Sequence, residues 1–105
     1  MKNIVKIAII GLGQIGNYLY NEIKIKKKDI ELKTNKKIQI VGICAKFKNK
    51  KRKFNIDKKI FYSDPIQLIN DTKPNILFEV IGQSDGVSKS IVEFALKQKI
   101  NVITP

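Results

Sequence analysis

The stretch Ile4-Val5-Lys6-Ile7-Ala8-Ile9-Ile10-Gly11-Leu12-Gly13-Gln14-Ile15-Gly16 decides the fold. Its apolar first half reads as a buried strand. From Gln14 onward, Ile15, Leu19 and Ile23 recur at helical spacing. Strand, glycine turn and helix in that order give a G-x-G-x-x-G pattern its meaning, because each glycine then has a separate task. Gly11 turns the chain sharply off the strand. Gly13, without a Cβ, lets a pyrophosphate approach the backbone. Gly16 lets the helix pack closely on the strand. The unpaired N–H groups of the first helical turn, around Gln14 and Ile15, then face the phosphates with the helix dipole behind them. The hexapeptide alone would also suit a tight turn between any strand and helix; its context selects a dinucleotide site.

Moving outward, the helix is expected to continue past Lys28 through Asp29-Ile30-Glu31-Leu32 and to stop at Asn35-Lys36-Lys37. Ile38-Gln39-Ile40-Val41-Gly42-Ile43-Cys44-Ala45 is a second strand, completing a βαβ unit. Lys46-Phe47-Lys48-Asn49-Lys50-Lys51-Arg52-Lys53 has no apolar period and reads as a mobile loop. Ile60-Phe61-Tyr62 is a short third strand. Ser63-Asp64-Pro65 starts a helix, with a capping residue before proline, and Ile66, Leu68 and Ile69 form its buried face. Ile76-Leu77-Phe78-Glu79-Val80-Ile81 is a fourth strand, closed by Gly82. Ser84 or Asp85 caps a further helix bearing Val87, Ile91 and Phe94-Ala95 on one face. Asn101-Val102-Ile103-Thr104 is a fifth strand. The order predicts an α/β, Rossmann-type, doubly wound and mainly parallel sheet of about five strands, incomplete beside the roughly 150 residues of a full two-halved domain. Ligands of such sheets bind at the carboxyl ends of the strands.

Composition narrows the function classes. The chain has 105 residues, one cysteine and no histidine. An internal disulfide is excluded, and so is the commonest general base and metal ligand. Lone Cys44 reads as a buried strand residue. No apolar run approaches the roughly 20 residues of a membrane span. Met1-Lys2 leads straight into the first strand, so a signal peptide is not expected and a cytoplasmic location is. A net charge of +12 invites a nucleic-acid reading. However, the charge comes from 20 lysines spread among 20 isoleucines and frequent asparagine, and the basic-aromatic interleaving that stacks bases is missing. A solvated basic surface is the simpler account, with neither nucleic acid nor membrane as partner.

The choice of dinucleotide turns on the end of strand two, where a carboxylate would hold the ribose diol of NAD. Asp29 and Glu31 have the usual spacing from the glycines but precede that strand. Its end is Ala45-Lys46, with no acid before Asp57. Lys46, with some of Lys48, Lys50, Lys51 and Arg52, points to the 2′-phosphate of NADP, with NAD as the alternative. Glu79, a carboxylate in an apolar strand, reads as a structural hydrogen-bond partner. Ser84 is a helix cap, a cofactor contact, or both.

Together these residues resemble the N-terminal domain of homoserine dehydrogenase. The likeness runs through Ile7 to Gly16, a long first helix, Ser63-Asp64-Pro65, Phe78-Glu79-Val80-Ile81-Gly82-Gln83-Ser84 and Asn101-Val102-Ile103-Thr104-Pro105. Gln83 stands where the family has a second glycine. The resemblance implies hydride transfer between L-homoserine and L-aspartate 4-semialdehyde with a nicotinamide cofactor, in the branch toward threonine and methionine. It implies that Gly11, Leu12, Gly13, Gln14, Ile15 and Gly16 hold the pyrophosphate, that Lys46 meets the 2′-phosphate, and that Ser84 and Thr104 lie near the nicotinamide side. The family's Thr-x-Asn-Lys lysine, its substrate domain with an acid/base lysine and aspartate, and its dimerising sheet fall beyond Pro105. The expectation is therefore a cofactor half spanning residues 1–105 with no catalytic residue of its own, inactive alone and part of a homodimer when intact. Two other readings fit the same motif: the cofactor domain of another amino-acid or semialdehyde dehydrogenase, and a nucleotide-sensing regulatory module. The second generally binds NAD through an acid ending strand two, against which Lys46 argues.

Overall fold

A computed structural model describes residues 3–81 and 86–104. Strand β1 (Ile4–Ile10) leads through the glycine turn into helix α1 (Gln14–Thr34), then β2 (Lys37–Cys44). A 3-10 turn at Lys58–Ile60 precedes β3 (Phe61–Tyr62). Helix α2 (Pro65–Thr72), β4 (Ile76–Glu79), α3 (Gly86–Lys97) and β5 (Asn101–Ile103) follow. The sheet order is β3-β2-β1-β4-β5 and every pairing is parallel. The chain goes from β1 to β2 and β3 on one side, then crosses to β4 and β5 on the other. The switch point thus lies between β1 and β4, where open α/β sheets bind ligands.

Period-two alternation along β1 builds a core on each face. Ala8 and Ile10 join Leu68 and Ile69 of α2, Leu77 of β4, and Ile91 and Ala95 of α3. Ile7 and Ile9 join Leu12, Ile43 and Tyr20 of α1 on the other face. A sheet covered on both sides explains why β1 is nearly all apolar.

The caps expected for α1 and α2 are present. The Asp64 carboxylate accepts from the Ile66 N–H at 3.0 Å, with Pro65 at the first helical position. Asn35 ends α1 in the left-handed conformation, and its N–H donates to the Glu31 carbonyl at 2.9 Å. Glu31 itself accepts from the Ile38 N–H at 2.7 Å, and Asp29 pairs with Lys33. Both acids thus sit at the end of α1 remote from the glycine turn, and neither reaches a ribose there. The cap expected at Ser84 or Asp85 lies outside the described residues.

Two expectations need correcting. The inner face of α1 is not set by Ile15, which is 62% exposed; Gly16, Asn17 and Tyr20 are buried, with Leu19 and Ile23 at the margin. The helix approaches the turn too closely for a large side chain there, so a glycine and an asparagine occupy positions that an apolar count passes over. Val87 is likewise exposed, leaving Ile91, Ala95 and partly buried Phe94 to seat α3.

Candidate dinucleotide site

The glycine turn is built by two close backbone approaches. Gly11 has φ +101°, and a Cβ there would lie 2.9 Å from backbone atoms of Val80 and Ile81. Its N–H donates to the Cys44 carbonyl at 2.8 Å, while the Val80 N–H donates to the Ile10 carbonyl at 2.8 Å. The ends of β1, β2 and β4 are thereby tied around one residue. A Cβ on Gly16 would lie 1.9 Å from the Gly11 carbonyl oxygen. The helix therefore rests on the turn itself, beside Val80. Gly13 differs: no protein atom lies within 4 Å of where its Cβ would stand. It occupies the N-cap of α1 without a side chain to cap the helix. The N–H groups of Gln14, Ile15 and Gly16 have no intrahelical acceptor in such a turn. Unfilled space beside unpaired donors at a helix N-terminus suits a pyrophosphate, so the residues present fit a dinucleotide.

A cleft of about 480 Å³ runs from this turn across the carboxyl ends of the strands. Its lining brings together the glycine turn at Gly11, Leu12 and Gly13, the cations Lys46, Lys50 and Arg52, and the apolar Val80, Ile81 and Val87. The sequence reading missed the apolar wall, because Val87 looked like a core residue. The side chain of Leu12 is buried in the core, so this residue offers its backbone. Gln14 and Ile15 border a second hollow on the helix side of the turn. Lys46 is exposed at the lip of the main cleft, two residues past β2. Thr104 lies outside this cleft, beside Ile15, Phe78 and Val80 in an apolar hollow next to α1. Ser84 lies outside the described residues. Glu79 is 3% exposed and accepts from the Ser88 hydroxyl of α3, which agrees with its structural reading.

The lysine-rich stretch is a loop, as expected, but an anchored one. The Asn17 side chain donates to the Phe54 carbonyl and accepts from the Phe54 N–H, both at 2.9 Å. The Tyr20 hydroxyl accepts from the Asp57 N–H at 2.9 Å. Arg52 donates to the carbonyls of Phe47 at 2.8 Å and Lys50 at 3.1 Å. A buried-face asparagine at helical spacing from Tyr20 was the available signal for these anchors.

A family profile described as homoserine dehydrogenase, NAD binding domain, matches residues 11–105. The chain belongs to this family. It is similar to the homoserine dehydrogenase of Bacillus subtilis (strain 168), at 23% identity over 95% of this chain and 23% of that protein. It superimposes on crystal structures of the S. aureus homoserine dehydrogenase. The pH 7.5 form gives a TM-score of 0.88 with 32% identity over 97% of this chain, and the pH 6.0 form 0.86 with 34% over 99%. In each case it spans 26% of the matched chain. A homoserine dehydrogenase from Thiobacillus denitrificans, 18% identical with a TM-score of 0.76, shares the fold. The chain thus spans about a quarter of the length of these relatives, and the family match supports a nicotinamide dinucleotide as its ligand class.

Cys44 lines the same cleft as a buried thiol. Burial, with a smaller contribution from the Asp64 charge, pushes its pKa from 9.0 up to about 11. At pH 8 a shift of that size leaves on the order of a hundredfold less thiolate than an unperturbed thiol would have. Iodoacetamide at pH 8 should therefore modify Cys44 at least tenfold more slowly in the folded chain than in urea. Because the folded thiol keeps its proton longer than the unfolded one, this group's stabilisation is complete below pH 9 and declines as pH rises toward 11. A urea-melt series across that window would show the decline.

Proposed function

We propose that this chain is the NADP-binding portion of a homoserine dehydrogenase, working in the cytoplasm on the branch toward threonine and methionine. The intact enzyme would interconvert L-homoserine and L-aspartate 4-semialdehyde, as a homodimer. Residues 1–105 would be its dinucleotide-binding domain, and substrate-handling groups would come from sequence outside them. Bound nicotinamide would supply the hydride acceptor. The residues of this chain would hold and orient the cofactor: Gly11, Gly13 and Gly16 with the N–H groups of Gln14 and Ile15 at the pyrophosphate, and Lys46 at the 2′-phosphate. Ser84 and Thr104 are proposed for the nicotinamide side.

The observation that carries the NADP reading is Lys46, two residues past β2 in the lining of the cleft that Gly11 and Gly13 share, where NAD would call for an acid. Fluorescence titrations of NADPH and NADH test it. The chain should bind NADPH at least tenfold more tightly. Equal affinities would contradict the NADP assignment, and failure to bind either would contradict the cofactor reading.

A further inference from the structure

Arg52 is the one arginine in a chain with 20 lysines. A planar guanidinium carries five donors in a fixed fork, whereas an ammonium is a compact point charge. Here the fork is directed at backbone carbonyls. Nη2 donates to Phe47 at 2.8 Å and Nη1 to Lys50 at 3.1 Å, with longer approaches to Lys48 at 3.5 Å and, from Nε, to Leu12 of the glycine turn at 3.4 Å. These contacts gather the cationic loop around one side chain and lean it on the turn. The far end of the loop is tied separately. Asn17, 4% exposed, meets both backbone groups of Phe54, and Tyr20, three residues further along α1, holds Asp57, three residues further along the loop.

We infer that Arg52 and Asn17 are positioning residues that set the cationic wall of the cofactor cleft against the phosphate-facing turn. This rests on the NADP reading above. The helix whose first turn faces the pyrophosphate also carries Asn17, so one rigid element fixes both the floor and the loop that bears Lys46 and Lys50. The ordering of that loop is then met during folding and not on binding, which is how a preformed site keeps its discrimination. Arg52 acts on the loop through carbonyls, which its fork holds in place.

This separates position from charge. Arg52→Lys keeps the positive charge and loses the fork. NADPH and NADH titrations should show the NADPH/NADH affinity ratio falling at least fivefold in Arg52→Lys and in Asn17→Ala, with NADH affinity within about twofold of wild type. A general loss of folded protein would lower both affinities together and leave the ratio unchanged. Arg52→Lys with a wild-type ratio, particularly if Arg52→Gln loses it, would make Arg52 a simple cation and overturn the inference. An unchanged ratio in folded Asn17→Ala would overturn the part assigned to Asn17. Should Asn17→Ala fail to fold, Arg52→Lys decides alone, because its side chain lies at the surface of the cleft. A wild-type chain without NADPH preference would instead defeat the NADP reading, so the two failures are distinguishable.

Discussion

Gly16→Ala should lower the melting temperature by on the order of 15 °C or abolish cooperative folding. The added methyl would stand 1.9 Å from the Gly11 carbonyl oxygen and 2.9 Å from its carbon. Both are backbone atoms, so no side chain can swing away. Gly11 cannot retreat either, because its N–H is held by Cys44 and its Cβ position lies 2.9 Å from backbone atoms of Val80 and Ile81. Overpacking costs about 1–3 kcal/mol where the surroundings can shift, and more where they cannot. Alanine's better helix propensity returns at most about 1 kcal/mol. A net loss of about 3 kcal/mol is large against the roughly 5–15 kcal/mol that holds a small domain together, and each kcal/mol moves its melting temperature by about 4–8 °C. Thermal circular dichroism reads the outcome. A melting temperature within a few degrees of wild type would mean that α1 is not seated on the turn.

Lys46→Glu should reverse cofactor preference toward NADH. A lysine ammonium near a 2′-phosphate makes a charge-assisted contact worth about 1.5–3 kcal/mol. Glutamate would remove it, repel the phosphate and offer the free ribose diol an acceptor. NADPH affinity should fall on the order of tenfold to several hundredfold, since each 1.4 kcal/mol is about tenfold. NADH affinity should hold or improve. Lys46 is exposed, so the effect should shrink in high salt. Stability should hardly change, because the side chain makes no hydrogen bond or ion pair among the described residues. An unmoved affinity ratio would make Lys46 one more solvated lysine.

The elements of this fold were legible where the signal is local. Alternating and continuous apolar runs placed β1, β2 and β4, Ser63-Asp64-Pro65 placed the start of α2, and Asn35 the stop of α1. The strand-end rule brought Lys46 to the cleft and removed Asp29 and Glu31 from it. What stayed hidden depends on partners distant in sequence. Asn17 looks like a poor helix residue until Phe54 is brought beside it, 37 positions later. Arg52 looks like part of a charge run until its fork is seen on carbonyls. Ile15 falls outside the inner face of α1 for a related reason, although Leu19 and Ile23 pack against the core. The helix's closest contact is made by Gly16, which has no side chain for a hydrophobic count to register. Val87 lies on the apolar stripe of α3 but faces the cleft, and periodicity alone does not distinguish a core from a ligand wall.

We propose that the open space at Gly13 receives the dinucleotide's pyrophosphate. Gly13→Ala tests it with one methyl group. No protein atom lies within 4 Å of the new Cβ, and φ is −69°, which alanine adopts freely. Stability should change by less than about 1 kcal/mol, the scale of an N-cap change partly offset by a stiffer unfolded chain. Binding should not survive so well, because the methyl fills the approach to the helix N-H groups. The measurement is an NADPH fluorescence titration on wild type and Gly13→Ala, with a melting curve for each. Matching melts and an NADPH affinity at least tenfold weaker in the variant are expected. Matching melts with unchanged NADPH affinity would contradict it.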